Sequence, residues 1–188
     1  MNTYRLPTSL TIGEVEHPIN YGWKTAIDIF CNMNSTDKKK PEKIAYMLVK
    51  LFPKWEELKP EQIPEAIEKA CDFLDCGRKY DDSVKPKLVD WEQDAEIIVP
   101  AVNKSAGREI RENPNIHWWT FFGWYMNIEG GIFATVLRIR SKIAKNEKLE
   151  NWEKKFVSDN SDLIILKNPD TDAIRQEKED IKAWLGGG

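Results

Sequence analysis

The sequence predicts a mainly α-helical protein with a short N-terminal β-hairpin, organised as one domain over residues 1–188. Three observations carry this prediction. Apolar residues recur with i, i+3, i+4, i+7 spacing between about residues 23 and 158, which is the periodicity of amphipathic helices. Two short β-prone runs flank a glycine between about residues 9 and 19. Strands do not alternate with helices, as they do in an α/β nucleotide-binding sheet.

The hairpin is predicted from the stretch SLTIGEVEHPI, residues 9–19. Gly13 and Glu14 separate two short runs, and glycine at the first turn position suits a type II′ connection. Pro18 lacks a backbone donor, so it places the second strand at an edge or near its end.

Three amphipathic helices are predicted after the hairpin. Ser35, Thr36 or Asp37 is expected to cap the second helix, and Pro53 to end it. Gly77 is expected to stop the third. The apolar positions that define them are Trp23, Ala26, Ile27 and Phe30, then Ile44, Met47, Leu48 and Leu51, then Ile63, Ala66, Ile67, Ala70, Phe73 and Leu74.

The second half of the chain is also predicted to be helical. A helix over Leu88–Val102 begins near Asp90 and is ended or kinked by Pro100. The remaining segments are a loop over residues 103–115, an aromatic helix from Trp118, a break at Gly130-Gly131, helices over 132–144 and 149–157, an irregular stretch over 159–170, and a last helix over 171–185 that is able to move relative to the body.

The aromatic helix is the most unusual segment, because six of its first eight residues are Trp, Phe or Tyr. A helix that is apolar nearly all round lies in a core or in a membrane. The run is much shorter than the roughly 18 apolar residues of a membrane span, and a core is therefore expected. Part of its wide face is expected to bind a partner or a second subunit. The candidate partner-binding residues on this helix are Trp118, Trp119, Phe122 and Tyr125.

The predicted C-terminal helix offers a second candidate surface. Its apolar residues Ile174, Ile181, Trp184 and Leu185 lie near one face, which either folds back on the body or binds a partner. A basic run over 138–148 forms a candidate contact face for phosphates or an acidic protein, with its positive side chains expected on the outside. That face consists of Arg138, Arg140, Lys142, Lys145 and Lys148.

Composition limits the class of protein. The net charge of −3 and the pI near 5.6 argue against a dedicated nucleic-acid binder. The start of the chain lacks the pattern of a signal peptide, and no window is apolar enough for a membrane span. Three irregularly spaced cysteines indicate reduced thiols rather than a disulfide framework. We therefore expect a cytosolic protein without a membrane association.

No pattern in the sequence indicates catalysis. The two histidines lack the ligand partners of a zinc site, and Cys71 and Cys76 point in different directions on a helix. The pair Asp72 and Asp75 shares a helix face, which a solvated surface explains. Phosphate-binding glycine motifs are absent from the sequence. The expectation is a protein that is not an enzyme and holds neither a cofactor nor a metal.

Two stretches together resemble a known family. They are GEVEHPINYGWKTAIDIF, over residues 13–30, and WWTFFGWYMNIEGGIFATVLRIRSKIAKNEKLENWEKKF, over residues 118–156. They resemble the small family of tailed-phage proteins named after gene product fifteen of long-tailed phages. Genes of this family typically lie between those of the major tail tube and tape-measure proteins, where tail assembly chaperones are encoded.

The resemblance implies a non-catalytic tail assembly chaperone in the cytoplasm of the bacterial host. Its partners would be the tape-measure protein and the major tail tube protein, with self-association as a homo-oligomer. The family brings no catalytic or metal-binding residues to this chain. Two alternatives stay open, namely a structural virion protein (a head–tail completion or baseplate component) and a regulator that contacts nucleic acid through residues 138–148.

Overall fold

The computed structural model describes residues 4–78 and 86–167. These residues form an antiparallel hairpin followed by eight α-helices, which confirms the predicted fold class. Short 3₁₀ turns lie at Trp55–Glu57 and Pro60–Gln62. The elements are β1 (Ser9–Ile12), β2 (Val15–Pro18), α1 (Trp23–Met33), α2 (Lys40–Leu51), α3 (Ile63–Leu74), α4 (Ala95–Ala106), α5 (Trp118–Met126), α6 (Gly131–Ala144), α7 (Asn151–Asp159) and α8 (Ser161–Ile164).

The hairpin has the predicted two-residue turn. Ile12 pairs with Val15, and Gly13 has a φ of 61°, as the first position of a type II′ turn requires. Leu10 and Ile12 are buried and belong to the main core. The N–H of Gly13 donates to a carboxylate oxygen of Glu65 at 2.8 Å, so the turn is fastened to α3.

Helices α1 and α5 begin side by side. The N–H of Trp23 donates to the carbonyl of Ile116 at 3.0 Å, and the N–H of Trp118 donates to the carbonyl of Tyr21 at 2.8 Å. The rings of Trp23 and Phe121 stack with their centroids 4.9 Å apart. These contacts place the aromatic helix in the centre of the main core.

Two tryptophans of α5 also cap α3. The last carbonyls of a helix have no partner within that helix. The indole N–H of Trp118 donates to the carbonyl of Leu74 at 2.7 Å, and that of Trp119 donates to the carbonyl of Phe73 at 2.8 Å. The aromatic helix therefore contributes hydrogen bonds as well as apolar area to the packing of α3.

A second, smaller core lies between α6 and the segment that follows it. Val136, Ile139 and Ile164 are its buried residues. Arg140, on the same side of α6, makes an ion pair with Asp94 at the start of α4. The two cores are thus joined through α4 and α6.

The start of α2 and the stretch 159–170 differ from the prediction. Helix α2 is not capped by Ser35, Thr36 or Asp37. The hydroxyl of Ser35 instead donates to Asp37, and the N–H of Lys39 at the start of the helix donates to Glu42 at 2.8 Å. The stretch 159–170 is not wholly irregular, because it includes α8.

The boundaries of α4 also differ from the prediction. Pro100 lies inside the helix, with its side chain on the exposed surface, and the helix ends only at Gly107, whose φ is 67°. Asp90 does not start the helix, because its carboxylate accepts the N–H groups of Glu92 and Gln93 and so holds a separate turn. The predicted helix over 171–185 lies outside the described residues.

Candidate functional site

A groove between α2 and α3 is lined almost entirely by apolar side chains. Its volume is about 420 Å³, within the range of small-molecule pockets. We name it the α2–α3 groove. It is lined by Pro41, Ile44, Ala45 and Leu48 of α2 and by Ile63 and Ile67 of α3, with Lys40 at one end.

The spacing of the lining residues explains how the groove forms. Pro41, Ile44, Ala45 and Leu48 follow i, i+3, i+4, i+7 spacing, so they occupy one stripe of α2. The neighbouring stripe of the same helix contains Met47 and Leu51, which are fully buried. Helix α2 packs against both α1 and α3, and the part of its apolar arc that neither helix covers lines the groove.

The floor of the groove is part of the main core. Leu48 is 7% exposed and Ile67 is 1% exposed, whereas Ile44 and Ile63 on the walls are half-buried and Ala45 is exposed. A groove with a rigid floor and accessible apolar walls matches the way in which amphipathic helices are bound, through i, i+3, i+4 and i+7 anchors.

One end of the groove carries a positive charge. Lys40, which is half-buried, lines that end. Lys38 does not line the groove, because its ammonium lies 5.3 Å from the centroid of the Tyr46 ring. This end of the groove favours an occupant with acidic residues beside its apolar stripe.

The residues predicted on the aromatic helix are mostly enclosed. Trp118 is 0% exposed and Phe121 1% exposed, so neither offers a surface to a partner. Trp119, Phe122 and Tyr125 are half-buried. The outermost large residue of this helix is Met126, which is 51% exposed.

The half-buried aromatics already have neighbours within the chain. The ring of Tyr125 lies 5.0 Å from that of Trp91 and 5.6 Å from that of Phe133. Burial raises the pKa of Tyr125 to about 12. The guanidinium of Arg78 lies 4.9 Å from the centroid of the Phe122 ring. The helix thus acts mainly as a packing centre for several elements.

The predicted basic face is not uniform. The expectation that all five cations lie on the outside is wrong for Arg140, which is 5% exposed because it pairs with Asp94. Lys142 donates to both carboxylate oxygens of Glu153 at 2.8 Å. Arg138 stands over the Trp152 ring, 4.6 Å from its centroid.

The remaining cations of that face, Lys145 and Lys148, are exposed. Glu153 lies between Lys142 and Arg138, and its hydrogen bonds to Lys142 hold the pKa of this carboxyl below its usual range. The charge that α6 offers to a polyanion is therefore smaller than its sequence suggests. The residues of the predicted C-terminal surface, Ile174, Ile181, Trp184 and Leu185, lie outside the described residues.

The sequence analysis does not predict the α2–α3 groove, although the sequence of α2 contains a feature that indicates it. Residues 44–49 read IAYMLV, six consecutive residues without a charge. A helix that contacts a single core needs only a stripe of apolar positions, so this wider arc indicates a second contact surface.

Metal-binding clusters and membrane-spanning helices are two further features that the described residues lack. In residues 4–78 and 86–167, no cluster of three or more His, Cys, Asp or Glu side chains is arranged to hold a metal ion. None of the helices in that same part of the chain has both the length and the apolarity of a membrane span.

Comparison with known proteins identifies the family. No curated protein and no solved structure matches the chain. The family model described as "Bacteriophage Gp15 protein" matches residues 3–160. The matched region runs from the N-terminal hairpin through α7 and includes the α2–α3 groove. The chain therefore belongs to the bacteriophage Gp15 protein family.

Proposed function

We propose that the protein is a non-catalytic tail assembly chaperone that acts in the cytoplasm of the bacterial host. It binds the tape-measure protein during assembly, keeps that long helical chain soluble, and meets the major tail tube protein as the tube grows around it. Membership in the phage family supports the setting. The observation that carries the binding role is the α2–α3 groove.

The occupant of the groove is an amphipathic helix of the tape-measure protein. Two walls of aliphatic side chains, Ile44 and Ala45 on one side and Ile63 on the other, accept apolar anchors on one face of such a helix. Lys40, at one end of the groove, then attracts acidic residues that flank the anchors. The protein self-associates, so that several grooves hold successive helices of one tape-measure chain and bind it more tightly together than singly.

Co-expression tests the proposal. The chain is produced with a tape-measure protein, a tag on the chain is used for purification, and the mass of the complex is measured by light scattering. The expected result is soluble tape-measure protein that co-purifies only when the chain is present. Recovery of the chain alone, with the tape-measure protein insoluble, would contradict the proposal. Presence of the chain in mature particles would favour a structural virion protein instead.

Two variants locate the binding surface. Ala45→Trp fills the groove from an exposed position without removing core atoms, and Ile44→Asp places a charge on its wall. Both are expected to reduce the recovered tape-measure protein several-fold. Val49→Asp is the matched control, because Val49 is on the same helix and is 45% exposed but does not line the groove. Circular dichroism checks that each variant is folded, and equal recovery with all three variants would rule out this groove.

A further inference from the structure

A second groove lies beside the outer face of α4, and we name it the α4–α6 groove. Its volume is about 450 Å³. Ile132, at the start of α6, forms part of its wall and is 57% exposed. Contiguous apolar surface that water reaches marks sites of interaction. The apolar residues that line the groove are Ile97, Pro100, Ala101, Ile128, Ile132 and Phe133.

The charged residues of α4 are placed symmetrically about Pro100. Glu96 comes four residues before Pro100 and Lys104 four residues after it, and all three side chains are exposed and line the groove. Each charge lies about 6 Å from Pro100 along the helix axis. The third charged residue of the groove, Glu129, lies in the turn between α5 and α6. The outer face of α4 therefore has a negative end, an apolar centre and a positive end.

We propose that a second copy of the chain covers this groove, with the two α4 helices packed antiparallel about a twofold axis beside Pro100. In that arrangement Glu96 of each copy meets Lys104 of the other, so the same ion pair forms at both ends of the contact. A parallel arrangement would place like charges together at both ends, which is unfavourable. The charges of α4 are thus complementary to those of a second copy in the antiparallel direction.

The position of Pro100 supports this contact. A proline inside a helix cannot donate the backbone hydrogen bond to the carbonyl four residues earlier, which here belongs to Glu96. The ring of Pro100 lies on the exposed surface of α4, where the second copy packs against it. The ammonium of Lys104 from the other copy then lies beside both the carboxylate and the backbone carbonyl of Glu96, and it has donors for each.

The contact gives the protein a surface for self-association that is separate from the one proposed to bind the tape-measure protein. The residues that line the α4–α6 groove are different from those that line the α2–α3 groove. The dimer rests on the charges and apolar residues of α4 and not on the chaperone role. Its test uses the chain alone, so it can fail while the chaperone proposal stands.

Charge reversal tests the pairing, with the mass of the purified full chain measured by light scattering over a range of concentrations. The unmodified chain is expected to be a dimer. Glu96→Lys and Lys104→Glu, each alone, place like charges at both ends of the contact, and the dissociation constant of the dimer should rise at least about tenfold. An equimolar mixture of these two variants should restore the dimer, because a copy with two lysines then meets a copy with two glutamates.

Glu147→Lys is the matched control, because Glu147 is exposed and follows the C-terminal end of α6, outside the groove. It makes the same change of charge as Glu96→Lys and is expected to leave the dissociation constant unchanged. A chain that is monomeric at every concentration would overturn the proposal. Equal effects of Glu96→Lys and Glu147→Lys would also overturn it, as would a mixture that dissociates as readily as the separate variants.

A disulfide cross-link tests the position of the twofold axis. Pro100→Cys places two thiols opposite each other across the axis, whereas the control Ser158→Cys places an exposed thiol on α7, away from the groove. Mild oxidation is expected to convert most of the Pro100→Cys chain into a covalent dimer and to leave the Ser158→Cys chain largely monomeric. Equal cross-linking of the two variants would overturn the packing of α4 on its copy.

Discussion

Arg140 and Asp94 form a two-pronged ion pair in the interior of the protein. One terminal nitrogen of the guanidinium donates to Oδ2 of Asp94 at 2.7 Å, and the other donates to Oδ1 at 2.8 Å. Their side chains are 4% and 1% exposed. Arg140 also donates to the carbonyls of Leu88, Leu163 and Ile164. One side chain of α6 thereby holds α4, α8 and the segment before α4 in place.

Removing Arg140 is expected to be strongly destabilising. Arg140→Met leaves Asp94 buried without its counter-charge, which costs about 3–5 kcal/mol of the free energy of unfolding. Urea unfolding followed by circular dichroism measures the change. The matched control is Arg138→Met, because Arg138 is 54% exposed and its loss is expected to cost less than about 1 kcal/mol. Equal losses of unfolding free energy in the two variants would show that the buried ion pair does not contribute this stability.

Sequence periodicity was sufficient to predict the helices but not the role of Arg140. The residue sits in a basic run, RIRSKIAK, and such runs usually face solvent. Its partner Asp94 lies 46 residues earlier, and a pairing over that separation leaves no local pattern. Pro100 misled the prediction of α4 for a related reason. The helix runs through it because Ile98 and Val102 are buried in the main core, and tertiary packing outweighs local preference.

The α2–α3 groove is a second feature that sequence spacing alone does not predict. The apolar stripe of α2 was predicted at Ile44, Met47, Leu48 and Leu51, and the last three of these are buried. Ile44 lies on the wall of the groove because of where α3 crosses α2. The crossing is set by packing across the whole core, and sequence spacing within one helix does not specify it.

The indole cap on α3 gives a second prediction. Trp118→Phe keeps most of the ring but removes the donor to the carbonyl of Leu74 and leaves a small void. We expect the free energy of unfolding to fall by about 2 kcal/mol, of which about 1 kcal/mol is the lost hydrogen bond. Trp152 is 44% exposed, and Trp152→Phe is expected to change the value by less than about 0.5 kcal/mol. Urea unfolding measures both changes. If Trp118→Phe lowers the free energy of unfolding no more than Trp152→Phe does, the indole cap on α3 is contradicted.

His117 gives a prediction for pH dependence. Burial lowers the pKa of His117, while its hydrogen bond to the carbonyl of Pro7 opposes this shift. Nδ1 accepts the N–H of Trp119 at 3.0 Å, and Nε2 lies 2.8 Å from the Pro7 carbonyl oxygen. The neutral ring with its proton on Nε2 satisfies both contacts. Protonation of Nδ1 would remove the acceptor that caps α5.

The sign of the pH effect follows from linkage. Because the folded pKa lies below the unfolded value of about 6.5, the unfolded chain binds the proton first as pH falls. Stability contributed by His117 is therefore present above about pH 6.5 and is lost as pH falls toward the folded pKa. NMR titration of the ring is expected to give a midpoint below 6.5. His117→Gln should flatten the stability profile in this window, and an unchanged slope would contradict the assignment.

The cysteines are expected to be unreactive in the folded protein. Burial raises the pKa of Cys31 and of Cys71 to about 11, and that of Cys76 to about 12. At pH 8 their thiolate fractions are therefore about one in a thousand or less, compared with about a quarter for an ordinary thiol. Iodoacetamide should label them slowly until pH exceeds about 10 or until urea unfolds the chain. Ser158→Cys, at an exposed position of α7, is the control and should be labelled first.

Two glycines are expected to respond in opposite ways to the same substitution. Gly107 ends α4 with a φ of 67°, and a Cβ there would meet no atom within 4 Å. Gly107→Ala therefore carries only the backbone cost of the left-handed conformation, about 1–2 kcal/mol of lost stability.

Gly123 lies inside α5, and a Cβ there likewise meets nothing within 4 Å. Gly123→Ala is expected to stabilise the protein by about 0.5–1 kcal/mol, since alanine loses less backbone entropy on folding. Urea unfolding of both variants measures whether each substitution raises or lowers the free energy of unfolding. Changes in the same direction would mean that contacts rather than backbone conformation control these positions.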